Sequence, residues 1–165
     1  MDAAAGAAIR FKIRRARAQE AQALTELSLR AKAVWGYEAS FLARCRRAMQ
    51  LSPETVRHRP HYVAQDAAGR LLGFYGLEPE PEGIGLDTLF VEPGAIGQGI
   101  GRALWHHALK TARRLGYDTL MVVSDPNAAG FYLKMGCRPA GAWPSEIEPG
   151  RNLPLFRFAL SPGVS

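Results

Sequence analysis

The chain has almost no cysteine. Its two thiols, Cys45 and Cys137, lie far apart among 165 residues and neither belongs to a paired motif. That excludes a disulfide framework and a cysteine-based zinc site, and it predicts two reduced thiols in a cytoplasmic protein. Long apolar runs are missing too. None approaches the roughly 20 residues needed to cross a bilayer, so no membrane partner is expected. The opening residues have no basic segment leading into an apolar core, so 1–7 is read as a flexible tail and not as a signal peptide. Internal repeats and low-complexity linkers are absent, and the length fits a single domain over 1–165. Charge clustering is weak. There are 21 Lys and Arg against 15 Asp and Glu, a net charge of +6, but the basic residues are dispersed. The densest group, Arg10 to Arg17, alternates with Phe11 and Ile13 like the solvated face of a strand. Nucleic acid is therefore not the expected partner, while the positive balance suits a small polyanion.

What is present is a mixed pattern of strands and helices. Alternation over 8–15 predicts a first strand. Leu24, Leu27, Ser28, Ala31 and Val34 mark one face of a helix over 18–33, and Phe41, Leu42, Cys45 and Met49 mark another over 38–50. A short helical piece starts at Ser52-Pro53. Strands are predicted at 61–66, 71–77, 86–91, 119–123, 137–142 and 153–160. A long helix follows residue 100 and stops at Gly116. A further helix starts with Asp125 as N-cap and Pro126 at its first position, and ends at Gly136. This is a mixed α/β chain.

The most informative stretch is Leu86-Asp87-Thr88-Leu89-Phe90-Val91-Glu92-Pro93, followed by Gly97-Gln98-Gly99-Ile100-Gly101-Arg102-Ala103-Leu104. A strand ends at a proline, and a loop with alternating glycines opens into an amphipathic helix. Free backbone N–H groups at the positive end of a helix dipole suit an anion such as a pyrophosphate. A phosphate-loop nucleotidase would need Gly-Lys-Ser/Thr here, and the chain has Gly101-Arg102-Ala103. A dinucleotide fold would need Gly-x-Gly-x-x-Gly after its first strand, and here the loop lies past mid-chain with Gly-x-Gly-x-Gly spacing.

Val91-x-Pro93 with the glycine loop resembles the acyl-CoA signature of the GNAT superfamily of N-acyltransferases, with Ile96 where that pattern has Gln or Arg. Downstream, Asp125-Pro126-Asn127-Ala128-Ala129-Gly130-Phe131-Tyr132-Leu133-Lys134-Met135-Gly136 is similar to the family's later Asn…Phe-Tyr-x-x-x-Gly helix. The resemblance implies a GNAT-like fold, a central, mostly antiparallel sheet flanked by helices. It implies an N-acetyltransferase that moves an acetyl group from acetyl-CoA, as cosubstrate, to a primary amine of a small molecule or peptide by direct attack. The alternative is a non-catalytic acyl-CoA sensor or scaffold. No metal is implied, and His106 and His107 lack ligand spacing. A homodimer stays open.

The resemblance also assigns residues. It lays the pantetheine arm along Leu89, Phe90 and Val91 like an added strand, and the pyrophosphate on Gly97, Gln98, Gly99, Ile100, Gly101 and Arg102. Asn127 is a further donor-binding candidate, for the amide or phosphate region of CoA. Tyr132 matches the family tyrosine near the CoA sulfur and is the candidate acid. Asp87 is the candidate base: it shares strand parity with Leu89 and Val91, where desolvation would raise its pKa. The family often places a glutamate two residues earlier, where this chain has Gly85. Glu92 is expected to be a solvated loop residue. Trp35 and Tyr37 follow the first helix, where the family has a substrate-gating loop, and are candidates for lining the amine pocket.

Overall fold

The computed structural model describes residues 9–160; the tail expected at 1–7 lies outside them. Seven strands form one sheet in the order β1-β2-β3-β4-β5-β7-β6. They are β1 (Phe11–Arg15), β2 (His61–Asp66), β3 (Leu71–Glu80), β4 (Gly83–Val91), β5 (Thr119–Val123), β6 (Arg138–Pro144) and β7 (Asn152–Ala159). Among the described residues five α-helices flank it: α1 (Ala21–Ala33), α2 (Ala39–Ala48), α3 (Pro53–His58), α4 (Ile100–Arg114) and α5 (Ala129–Lys134). β4 and β5 are parallel and joined through α4, while all other neighbours are antiparallel. The mixed α/β, mostly antiparallel expectation holds.

The two faces of the sheet follow from the pleat. The cross-strand row Val63, Phe74, Phe90 faces α1 and α3, packing with Leu24, Leu27 and Val56. The next row, Tyr62, Tyr75, Leu89, faces the larger core built on α4, with Leu104, Trp105 and Ala108. Gly73 brings α4 close to the sheet. A Cβ there would lie 2.8 Å from the Phe90 carbonyl oxygen and 3.0 Å from Leu104 Cδ1. Leu29, Phe41 and Cys45 form a satellite core beneath Tyr37 and Ile147.

Two features of β4 shape the site. First, Gly76 pairs with Thr88 and Leu77 with Leu86, which leaves Asp87 as the extra residue of a β-bulge. Second, β4 pairs with β5 only at Ile84, Gly85 and Leu86. Beyond Leu86 the two strands part. From Thr88 to Val91, β4 has a ladder partner on its β3 side only. Where the sequence predicts β3 to stop at 77 and β4 to start at 86, the strands run on to Glu80 and back from Gly83 around a two-residue turn. Pro79, Pro81, Gly83 and Gly85 mimic a loop in the sequence, because all are poor strand formers taken singly.

Candidate active site

The glycine loop forms as the sequence predicts. Gly97 and Gly99 have φ of +84° and +83°, a backbone region closed to most side chains. Gly99 is the N-cap of α4 and offers no side chain to it. The first intrahelical bond runs from the Ala103 N–H to the Gly99 carbonyl, 3.0 Å. The N–H groups of Ile100, Gly101 and Arg102 thus precede the helix's own ladder, at the positive end of a 15-residue helix. By contrast α3 is capped by the Ser52 hydroxyl, which accepts from the Thr55 N–H at 3.1 Å. The bare start of α4 fits a pyrophosphate.

The side chains of this loop divide. Gln98 and Arg102 are exposed, and Arg102 joins no ion pair among the described residues. Ile100 is buried in the core, so only its backbone faces a ligand. Gly101 is helical, and a Cβ there would meet Val91 Cγ2 at 3.5 Å and Phe131 Cε2 at 3.7 Å. The start of α4 therefore lies between the end of β4 and α5. Leu89, Phe90 and Val91 are half-buried, with the β4 edge that turns away from β3 left without a strand partner. A free strand edge running toward a bare helix start can hold an extended arm ending in phosphates.

Asp87 stands on the bulge at the rim of this opening. The residue is exposed, yet the protein crowding it raises the carboxyl pKa by desolvation. The negative charges of Glu78 and Glu146 add to the rise, while Arg59 opposes it. The pKa is raised in the expected direction, while the bulge at Asp87 removes the strict alternation by which it was to share a face with Leu89 and Val91.

Tyr132 is buried on α5. Its ring packs edge-on to Trp105 at 5.7 Å and Phe131 at 5.2 Å, and lies 6.2 Å from Phe156. Burial drives its pKa upward, and Cys137 adds to the shift. The group is a neutral phenol at physiological pH, the form that can give up a proton.

Trp35 and Tyr37 are drawn into a network the sequence did not signal. The Tyr37 hydroxyl donates to Asp125 Oδ2 at 2.7 Å. It accepts from Arg151 at 2.9 Å and from Asn127 Nδ2 at 3.1 Å. Lys32 Nζ reaches the same Asp125 oxygen at 2.6 Å and sits 5.7 Å and 5.6 Å from the Trp35 and Tyr37 ring centres. The Arg151 guanidinium lies 5.3 Å from the rings of both Tyr37 and Phe41. For Asp125, burial acts to raise the pKa, but the bonds from Lys32, Tyr37 and the Asn127 N–H outweigh it and the net shift is downward. Asp125 caps the 3-10 turn Pro126–Ala128 that leads into α5, through the Asn127 N–H at 2.8 Å, while α5 itself begins only at Ala129. Lys32 and Arg151 come from 93 residues before and 26 residues after it (125 − 32 and 151 − 125), and no local pattern links them. Glu92 also departs from the expected solvated loop residue: it is half-buried and held by Arg30 through two bonds of 2.8 Å and 2.7 Å.

A parallel β-α-β unit inside an otherwise antiparallel sheet, a splayed β4–β5 edge and a bare glycine-loop helix start together match the architecture that the sequence resemblance implies. The Acetyltransferase (GNAT) family model matches residues 21–137, and the chain belongs to that family. It is similar to the peptidyl-lysine N-acetyltransferase YjaB of Salmonella typhimurium, 33% identical over 155 residues, covering 90% of this chain and 97% of the relative. Escherichia coli YjaB is 35% identical over 101 residues, 61% of this chain and 63% of that one. Among solved structures, the PaiA N-acetyltransferase of Thermoplasma acidophilum in complex with coenzyme A superposes with a TM-score of 0.76 at 17% identity, over 92% of this chain and 99% of that one. The apo-form of E. coli YjaB in solution gives 0.67 at 25% identity, over 92% and 98%. The chain is a GNAT acetyltransferase, and no helix among the described residues is long and apolar enough to cross a membrane.

Proposed function

We propose that the protein transfers the acetyl group of acetyl-CoA to a primary amine, with the side-chain amine of a peptide lysine as the leading acceptor. The observation that carries this reading is the free edge of β4 running into the bare start of α4, with a carboxyl of raised pKa on the β4 bulge and a buried phenol on α5. The names of the YjaB relatives favour a peptide lysine over a small amine.

The thioester, when bound, supplies the acetyl group and a thiol leaving group. The protein's residues do the rest. Backbone N–H groups of Ile100, Gly101 and Arg102 hold the phosphates, and the β4 edge from Leu89 to Val91 holds the arm in extended form, which fixes the position of the carbonyl. The Leu89 backbone N–H, which points away from β3 on that edge, polarises the carbonyl oxygen. Asp87 takes the proton of the incoming ammonium. Its raised pKa makes it a stronger base than an ordinary carboxylate, and its charge together with those of Glu78 and Glu146 attracts a cation. Tyr132 gives a proton to the departing sulfur.

Release of free thiol from acetyl-CoA, measured with lysine peptides and with a panel of small amines, tests the reading. Peptide-dependent release at a rate above that of any small amine is the expected result. Melting curves with CoA belong beside it, since a ligand at about 100 times its Kd adds roughly 2.7 kcal/mol. A melting shift with no turnover on any amine would move the protein to the binding-module alternative. No shift at millimolar CoA would remove the donor assignment altogether.

A further inference from the structure

The Tyr37 hydroxyl has no hydrogen-bonding capacity left. A phenol gives one bond and takes two. Here it gives to Asp125 and takes from Arg151 and Asn127. The hydroxyl cannot also meet an acceptor amine, so its role lies in what it holds.

What it holds is the amide of Asn127. Nδ2 of Asn127 donates to Tyr37 Oη at 3.1 Å and to Asp125 Oδ1 at 3.0 Å. Both amide hydrogens are used. Flipping the amide would set its oxygen against the Asp125 carboxylate, and against a Tyr37 oxygen whose proton is already given away. The orientation is therefore fixed by chemistry. The one free group is the side-chain carbonyl oxygen, on an exposed residue that follows β5 just after β5 has parted from β4.

We propose that Tyr37 is a positioning residue for the arm of the acyl donor: it pins the Asn127 amide so that Oδ1 accepts from an amide N–H of the pantetheine chain. The inference rests on the acetyl-CoA reading above. It also resolves an ambiguity in that reading. A carbonyl oxygen repels a phosphate and attracts an N–H, so Asn127 serves the arm and not the phosphates. Because Tyr37 comes from the α1–α2 connection, the wall on the acceptor side and the grip on the donor arm are one network, through Lys32, Asp125 and Arg151.

The test compares two ligands by calorimetry: CoA, and adenosine 3′-phosphate 5′-diphosphate, which is CoA without its arm. Tyr37→Phe and Asn127→Ala are each expected to weaken CoA by about tenfold, the worth of roughly one hydrogen bond, and to leave the armless ligand unchanged. The double variant is expected to bind CoA no more weakly than Asn127→Ala alone. Equal losses for both ligands would make Tyr37 a purely structural residue and overturn the proposal. So would additive losses in the double variant, or wild-type CoA affinity in Tyr37→Phe. Tyr37→Trp, whose indole N–H cannot accept a bond, carries the same expectation should the phenylalanine variant fail to fold. Wild-type protein that binds neither ligand would overturn the donor reading itself, a result distinct from any of these.

Discussion

Asp87 follows the last β4 residue paired with β5, Asp125 follows the end of β5, and the two are opposites. Asp125 is saturated: Lys32, Tyr37 and the Asn127 backbone and side-chain N–H groups all bond to it, and its pKa is lowered. Asp87 has no side-chain hydrogen bond among the described residues and sits near two other carboxylates, with its pKa raised. The same contrast separates the Tyr37 network from the start of α4. One region has its polar groups satisfied from within, save the Asn127 side-chain oxygen; the other leaves N–H groups open. Satisfied groups hold the wall in place, and open ones are what a ligand can meet. The difference lies in chemical capacity, since both regions are polar.

Four variants sharpen or break this contrast. Tyr132→Phe should have the largest effect, lowering turnover about 10²- to 10⁴-fold with CoA affinity kept, the usual range for a general acid. A wild-type rate would return Tyr132 to the core packing of Trp105 and Phe156. Next, Lys32→Met strips the one cation bonded to Asp125 among the described residues, where the two side chains are 12% and 7% exposed. Breaking such a pair should cost about 3 kcal/mol in urea unfolding at neutral pH. The lowered pKa of Asp125 gives the sign with pH: the stabilisation is present above the unfolded carboxylate pKa and is lost as pH falls through the folded one. The gap between wild type and Lys32→Met should therefore close in acid, and a constant gap would show that the pair is not its source.

Asp87→Asn should behave in the reverse sense. A carboxyl whose pKa is raised by folding is destabilising once ionised, so wild type should lose stability relative to this variant as pH climbs from the unfolded pKa through the folded one. Turnover of the variant should suffer most at low pH, where the acceptor is charged. Stability curves that run parallel across that range would reject the desolvated carboxyl. Gly101→Ala has the smallest expected effect. Its helical φ and ordinary contact distances allow a methyl, so a gain of about 0.5–1 kcal/mol in stability is expected. Any loss of CoA affinity in that variant then measures how closely the phosphates approach Gly101, because no strain competes as an explanation.

The sequence was a good guide to one side of the contrast only. Glycines at 97, 99 and 101 ahead of an amphipathic helix are a local signal, and the loop they predict is present. Element order was legible for the same reason: periodicity and caps act over neighbours. The bulge at Asp87 was not legible, since an inserted residue leaves no trace in a parity count along a single strand. The Tyr37 network was not legible either. Lys32, Tyr37, Asp125 and Arg151 are unremarkable singly and meet only when four connections converge, and reading Tyr37 as an acceptor-lining residue missed that its hydroxyl is already fully bonded.

Gly73 lies on β3, 27 residues before Ile100 (100 − 73). Yet a single carbon there would press on Leu104 Cδ1 at 3.0 Å and on Ile100 Cγ2 at 3.3 Å, the side chains by which the first turns of α4 rest on the sheet. It acts as a shim of zero thickness. The height of the helix above β4 sets how far the waiting N–H groups stand from the strand edge, and so the length of arm that can span from one to the other. The ruler for the donor is cut, in part, by an absent methyl group on the strand next door.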